Sequence, residues 1–187
     1  MKNAGMIEGW MTHRELQCLY EWSKYHHHIV EVGSWKGRST SAFLQAKRDK
    51  YEETGEFPGW VFAVDTWQGS PAEIEDRHAE AKERNILQQF LENVGDSEWL
   101  IPLQMKSSSA ARSILLGVDV VFIDASHNYE DVKEDLLVWG PKAARLLCGH
   151  DWTWPSVRQA VTEYAIKHSY EVRVIEGTSL WFIQKGN

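Results

Sequence analysis

The chain has 187 residues, 43% of them hydrophobic and 25% charged, and carries a formal net charge of −7. That length and balance suit one globular domain with a full core, and the acidic excess argues against a general nucleic-acid binder. No apolar run approaches the roughly 20 residues that span a bilayer, and no apolar signal core opens the chain. Two cysteines make no disulfide framework, so a cytoplasmic protein without a membrane partner is expected.

In chain order, residues 11–25 read as a helix with Leu16, Leu19 and Tyr20 on one face, and "HIVEV" (28–32) as a buried strand. A helix over 38–50 turns Phe43 and Leu44 inward, and "WVFAVD" (60–65) is the second strand. The charged stretch 72–94 predicts a long helix with Ile86, Leu87, Phe90 and Leu91 as its apolar stripe. "WLIPLQM" (99–105) is a strand that Pro102 assigns to a sheet edge. A short helix over 107–116, the strand "VDVVFID" (118–124), a helix over 129–138, the strand "ARLLCGHD" (144–151) and a helix over 155–168 follow. "YEVRVIE" and "TSLWFIQK", joined through Gly177, close the chain as a hairpin. Ten tryptophans are expected mainly in core or rim packing, where large rings bury much area, with a few near glycines and acids able to stack on a flat ligand.

Strand–helix alternation predicts an α/β fold with helices on both faces of the sheet. The expected form is a Rossmann-like, doubly wound, mostly parallel seven-stranded sheet with a C-terminal antiparallel hairpin. Residues 1–187 form a single domain in this reading, with 1–25 as a helical segment on the acceptor side. Ligands in such sheets bind beyond the carboxyl ends of the strands, where strand order reverses, so the residues just after each strand carry the functional reading.

The first tip is "VEVGSWKGRST" (30–40), in which Gly33 permits a tight turn and Gly37 a close helix approach. It lacks both GxGxxG and GxxxxGK[ST], so a phosphate cradle is unsupported. The carboxylate of Glu31 would repel a pyrophosphate. It favours an ammonium or sulfonium group, or orients the loop. Asp65 after the second strand suits a ribose diol or a turn cap. Ser107–Ser109 suit a base edge or a helix cap, the cap being favoured for any single serine. Asp124, His127, His150 and Asp151 stand at two strand tips expected to be neighbours. Two carboxylates with imidazole suit an oxygen-preferring divalent ion such as Mg²⁺ or Mn²⁺. "HHH" (26–28) leads into the first strand at its amino end and reads as a surface loop. Lys133, Glu134 and Asp135 read as a solvated helix face.

"VEVGSWKGRST", "VFAVDTW", "VVFIDASHNYEDVKEDL" and "GHDW" together resemble the class I S-adenosylmethionine-dependent methyltransferases. The branch is the small-molecule O-methyltransferases of the macrocin and cephalosporin-hydroxylase-like kind. The resemblance implies S-adenosylmethionine as cofactor and a small molecule as methyl acceptor. By the same resemblance Glu31, Gly33 and Gly37 surround the methionine part, with Ser34, Trp35 and Ser39 of the same turn among the cofactor contacts. Asp65 binds the ribose with Thr66 and Trp67 beside it, and Ser107 and Ser108 lie near the adenine. Asp124 also counts among the cofactor contacts. Asp124 and Asp151 hold a divalent metal with His150 helping, and His127 is the general base. The chain departs from the family pattern at Ala125-Ser126, where many members carry Gly-Asp, and at His150, where many carry an acid. Two rivals stay open: a protein of this fold that binds the cofactor without methyl transfer, and an NAD-dependent enzyme. The acceptor side is expected from residues 1–15, 67–80 and 152–155, which carry Trp10, Trp67, Trp152 and Trp154. A homo-oligomer is also left open.

Overall fold

The computed structural model describes residues 4–69, 79–82 and 84–186. Their strands are β1 (Ile29–Val32), β2 (Val61–Asp65), β3 (Leu100–Gln104), β4 (Val118–Ile123), β5 (Ala143–Gly149), β6 (Arg173–Val174) and β7 (Trp181–Gln184). The helices are α1 (His13–Tyr25), α2 (Arg38–Thr54), α3 (Ile86–Val94), α4 (Ser107–Ser113), α5 (Tyr129–Trp139) and α6 (Pro155–His168). One seven-stranded sheet runs in the order β3-β2-β1-β4-β5-β7-β6. The five strands from β3 to β5 are parallel; β7 pairs antiparallel with β5 and with β6. Strand order reverses between β1 and β4, and Pro102 lies on the edge strand β3, as its missing N–H requires.

All four residues of β1 are buried, which explains its continuous apolar character around one carboxylate. The two-residue strand period divides the core. Val30, Val32, Val64, Val121, Ile123 and Leu147 pack on one face, beneath α4, α5 and α6. Ile29, Ala63, Val120, Phe122, Leu146 and Cys148 pack on the other, beneath α1, α2 and α3. Trp67, Trp139 and Trp181 are buried in the core, six further tryptophans pack half-buried against its rim, and Trp10 is exposed.

Four expected elements differ. Among the described residues of the expected 72–94 helix, the α-helical part is α3, which starts where Asn85 takes a non-helical conformation and its side chain caps α3 by accepting from the N–H of Gln88. A short 3-10 turn covers Ala79–Lys82, and 72–78 lie outside the described residues. The helix from Ser107 stops at Ser113, and the strand predicted over 144–151 ends at Gly149, which frees His150 and Asp151. The hairpin is asymmetric: β6 has only two residues, and β7 inserts between it and β5.

At the amino ends of the strands, "HHH" forms the expected loop. Asp119 accepts the backbone N–H groups of His27 and His28. The buried Lys47 Nζ donates to the carbonyls of Ser23, His26, His27 and Pro58 at 2.7–3.2 Å, satisfying oxygens that helix α1 and the two loops leave open.

Candidate functional site

The strand register builds the site. Val32 pairs with Val64 and with Ile123, and Ile123 pairs with Gly149. The next residues, Gly33, Asp65, Asp124 and His150, therefore emerge in one row at the carboxyl edge, across the point where strand order reverses. A cavity of about 570 Å³ opens there, within the range of small-molecule sites. Its lining includes Gly33, Ser34, Trp35, Ser39, Asp65, Thr66, Ser107, Ser108, Asp124, His127, His150 and Asp151. Twelve positions nominated by sequence, from five strand tips, thus share one cavity.

Three nominated residues stand outside it. Strand alternation turns Glu31 under α2, where it is fully buried and accepts from the hydroxyls of Ser34 and Thr40. Burial pushes its carboxyl up to about 7, against the hydrogen bonds of Ser39, Thr40 and Ser34. It shapes the turn rather than facing the cavity. Gly37 begins α2 at φ 87°, and a Cβ there would meet Val94 Cγ1 at 2.5 Å and Phe90 Cδ2 at 3.0 Å. Its missing side chain admits α3, not the cofactor. Trp67 is buried against Phe90, with ring centroids 5.0 Å apart, and its indole N–H donates to the Trp35 carbonyl at 2.8 Å.

Asp65 organises the turn from the far side. One oxygen accepts the N–H of Trp35 at 2.8 Å, the other that of Trp67 at 2.7 Å. Both tryptophans hold positive φ, 43° and 53°, and Asp151 holds 61°. Left-handed backbone costs a non-glycine residue roughly 1–2 kcal/mol, so three such residues along one rim mark a site that the surrounding fold holds strained. Gly33, at φ 93°, lets this turn touch the loop after β4: a Cβ there would lie 2.1 Å from the Asp124 carbonyl oxygen.

The β4 and β5 tips carry the charge. Asp151 bridges two imidazoles: one oxygen lies 2.7 Å from His127 Nε2, the other 3.2 Å from His150 Nδ1. His150 Nδ1 also faces Asp124 at 3.7 Å. Burial raises the Asp124 carboxyl to about 7; His150 lowers it, and Asp151 and Glu31 add to the rise. Burial opposes charge on His150 as well, but its hydrogen bonds to Asp151 and Glu15 raise it to about 11. Burial also works against charge on Asp151, yet the two imidazoles hold it well below the usual carboxylate range. One ligand atom from each of Asp124, His150 and Asp151 falls within 4.8 Å of the others. Two carboxylates and one imidazole, close enough for one ion to join, fit a divalent cation that takes the place of the proton His150 Nδ1 otherwise holds toward Asp151.

Several lining residues were not nominated. Asp131, Glu134 and Asp135 line the cavity from α5; of the face read as solvated, Lys133 and Glu134 are exposed as expected and Asp135 is not. Asp135 is buried and accepts from the Ser107 hydroxyl, which itself accepts from the Trp139 indole; burial raises Asp135 to about 6. Glu8–Met11 form the opposite wall. Lys36, buried, pairs with Glu8 at 2.7 Å and Glu80 at 2.5 Å, while Arg38 donates to the carbonyls of Gly5, Ile7 and Met11. Of the tryptophans proposed for the acceptor side, Trp10 lines the cavity; Trp152 and Trp154 pack on the α6 core, with Trp154 stacked 4.4 Å over His127. Residues 70–78 of the expected 67–80 loop lie outside the described residues.

The family model for a methyltransferase domain matches residues 30–152, which include every lining residue except Glu8–Met11. An uncharacterized protein, y4gI of Sinorhizobium fredii (strain NBRC 101917 / NGR234), is 32% identical over 116 residues; the match covers 61% of this chain and 12% of that protein, so the chain spans a small part of that curated relative's length. Among solved structures, the O-methyltransferase NovP superposes with TM-score 0.69 at 18% identity, over 92% of this chain and 79% of that one. The calicheamicin methyltransferase CalS11 gives 0.64 at 17%, over 92% and 77%. The methyltransferase PaMTH1 of Podospora anserina, in its SAH-bound structure, gives 0.65 at 11%, over 95% and 80%. These identities establish a shared fold.

Proposed function

The chain belongs to the methyltransferase-domain family, and on that premise we propose that it transfers the methyl group of S-adenosylmethionine to a hydroxyl of a small molecule, with a divalent cation beside the acceptor oxygen. One observation carries the reading: the family-matched segment lays Gly33, Asp65, Ser107 and Asp124 in one cavity at the point where strand order reverses. Bound there, the cofactor supplies an electrophilic methyl on a sulfonium, and Mg²⁺ or Mn²⁺ would lower the pKa of the acceptor hydroxyl.

This chain's residues do the remaining work. Asp65, held by the backbone N–H groups of Trp35 and Trp67, is the acceptor for the ribose diol. Ser34, Trp35, Ser39 and Thr66 complete the wall on that side, and Ser107 and Ser108 stand at the N-terminus of α4 for the base. Glu31 and Gly37 act through the shape of the turn. Asp124, His150 and Asp151 would hold the cation. His127 takes the acceptor proton; Asp151 orients its ring and stabilises the imidazolium that forms. Glu8–Met11 bound the acceptor side.

The test is calorimetry with S-adenosylhomocysteine, with and without Mg²⁺, followed by turnover on a panel of hydroxyl acceptors with and without EDTA. Binding with EDTA-sensitive turnover is expected. Failure to bind the product cofactor overturns the reading; EDTA-insensitive turnover removes the cation from it. Binding without turnover on any acceptor leaves the non-catalytic rival standing.

A further inference from the structure

Helix α1 reaches the site through one buried carboxylate that no strand-tip reasoning nominates. Strand alternation is the cause. Continuing past β5, His150 falls in register with Leu146 and Cys148, on the sheet face that α1 and α2 cover. Glu15 lies on the buried side of α1 with 3% exposure, and its Oε1 is 3.2 Å from His150 Nε2. The two residues are 135 positions apart in the chain. A carboxylate can only accept, so Nε2 carries a proton, and Nδ1 is the nitrogen turned toward Asp124 and Asp151.

Glu15 has enough partners without the histidine. Its Oε2 accepts both the N–H and the hydroxyl of Thr12 at 2.8 Å, which closes the capping box of α1. Its Oε1 also accepts the N–H of Ser179 at 2.7 Å. Those three donors satisfy a buried carboxylate and fix the helix and the loop before β7. The contact with His150 is therefore an addition to the structural role. It has the form of a carboxylate that orients a ligating imidazole from behind.

We propose that Glu15 is a positioning residue for the cation site: it fixes the orientation of His150 and aims Nδ1 at the gap between Asp124 and Asp151. The inference rests on the cation reading of the same site. Helix α1, which lies outside the family-matched segment and contributes no residue to the cavity lining, thereby becomes part of the chemistry.

The experiment is Mn²⁺ binding to the full chain, by calorimetry and by the loss of free-ion paramagnetic signal, for the wild type, Glu15→Gln and Thr12→Ala. Both variants disturb the same helix cap, and both are expected to melt at lower temperature. Glu15→Gln is expected to weaken Mn²⁺ binding about 10- to 100-fold, the usual effect of losing such an orienting partner. Thr12→Ala is expected to leave it within about twofold, as a residue that touches only the cap should. A folded Glu15→Gln protein that binds Mn²⁺ like the wild type overturns the inference. If Glu15→Gln does not fold, Glu15→Asp replaces it; the charge stays but a methylene of reach is lost, and weaker binding is again expected. If the wild type does not bind Mn²⁺, the cation reading fails separately. The ring orientation is then read from ¹⁵N–¹H correlations of the His150 imidazole, and a ring signal unchanged by Glu15→Gln overturns the positioning role.

Discussion

Gly33→Ala tests whether the cavity depends on two loops touching. At Gly33 an added Cβ would lie 2.1 Å from the Asp124 carbonyl oxygen, 2.5 Å from its carbon and 2.7 Å from Ala125 Cα. All three are backbone atoms, so no side chain can swing away. Ordinary contact begins near 3.4 Å, so the β1 and β4 loops must part by more than about 1 Å. The backbone also holds φ 93°, which costs alanine roughly 1–2 kcal/mol, and forced overpacking adds about 1–3 kcal/mol. A loss of about 3–4 kcal/mol is expected, or roughly 10 °C in melting temperature for a chain of this size. Gly55→Ala separates the two causes: Gly55 has φ 70° but nothing within 4 Å, so only the conformational part, about 1 kcal/mol, is expected there. Denaturant titration of both variants gives the stabilities, and calorimetry with S-adenosylhomocysteine gives the cofactor affinity. A displacement of this size at a binding wall is expected to weaken the cofactor by at least about tenfold in Gly33→Ala and to leave Gly55→Ala at wild-type affinity. If Gly33→Ala keeps wild-type stability and affinity, the loops are not held at the spacing described, and the account of this wall fails.

Asp65→Asn puts an amide nitrogen opposite either the Trp35 or the Trp67 N–H; a loss of about 1–3 kcal/mol and a lower cofactor affinity are expected, measured by the same pair of methods, and unaltered affinity would rule out Asp65 as both organiser and ribose partner. Lys47→Met removes the ammonium that donates to four carbonyls at the opposite end of the sheet; stability should drop by about 2–4 kcal/mol while cofactor affinity in the folded fraction stays unchanged. His127→Gln should lower turnover about 10²- to 10⁴-fold with cofactor affinity kept, and a smaller loss on the identified acceptor would assign the base elsewhere. His28 gives a pH dependence. Its Nδ1 accepts the Trp60 N–H, and burial, helped by His27, holds its imidazole below the usual value. The unfolded chain therefore binds the extra proton first. This contribution is complete above roughly pH 6.5 and is lost as pH falls through that value toward the folded one. Denaturant midpoints from pH 8 to 5 should fall more steeply for wild type than for His28→Gln, and parallel curves would refute the assignment.

The architecture was legible because the relevant signals are local. Apolar runs of four to six residues, broken by Gly33, Asp65 and Asp124, fix the strands, and their alternation with helical periods fixes a covered parallel sheet. Once the sheet is parallel, its strand tips must share one edge. That is why Asp65, Asp124, His127, His150 and Asp151 were nominated together and are found together.

Which way each side chain turns at that edge was decided by tertiary structure. Glu31, one step before the tip, reads in sequence either as an acid that faces a cationic ligand or as one that orients the loop. The strand period sends it beneath α2, where it orients the loop, and the same period turns His150 toward α1. Asp135 carries no local mark that separates it from its charged neighbours on α5, yet the position of that helix against α4 buries it beside Ser107. The Thr12-x-x-Glu15 spacing signals a helix start and nothing more. Its second partner stands 135 residues on, and only the packing of α1 across β5 brings the two together. Sequence settles which residues stand at the ends of elements, because propensity and periodicity act over a few residues. The side chains that meet across elements are settled by the packing of whole faces, which no short stretch encodes.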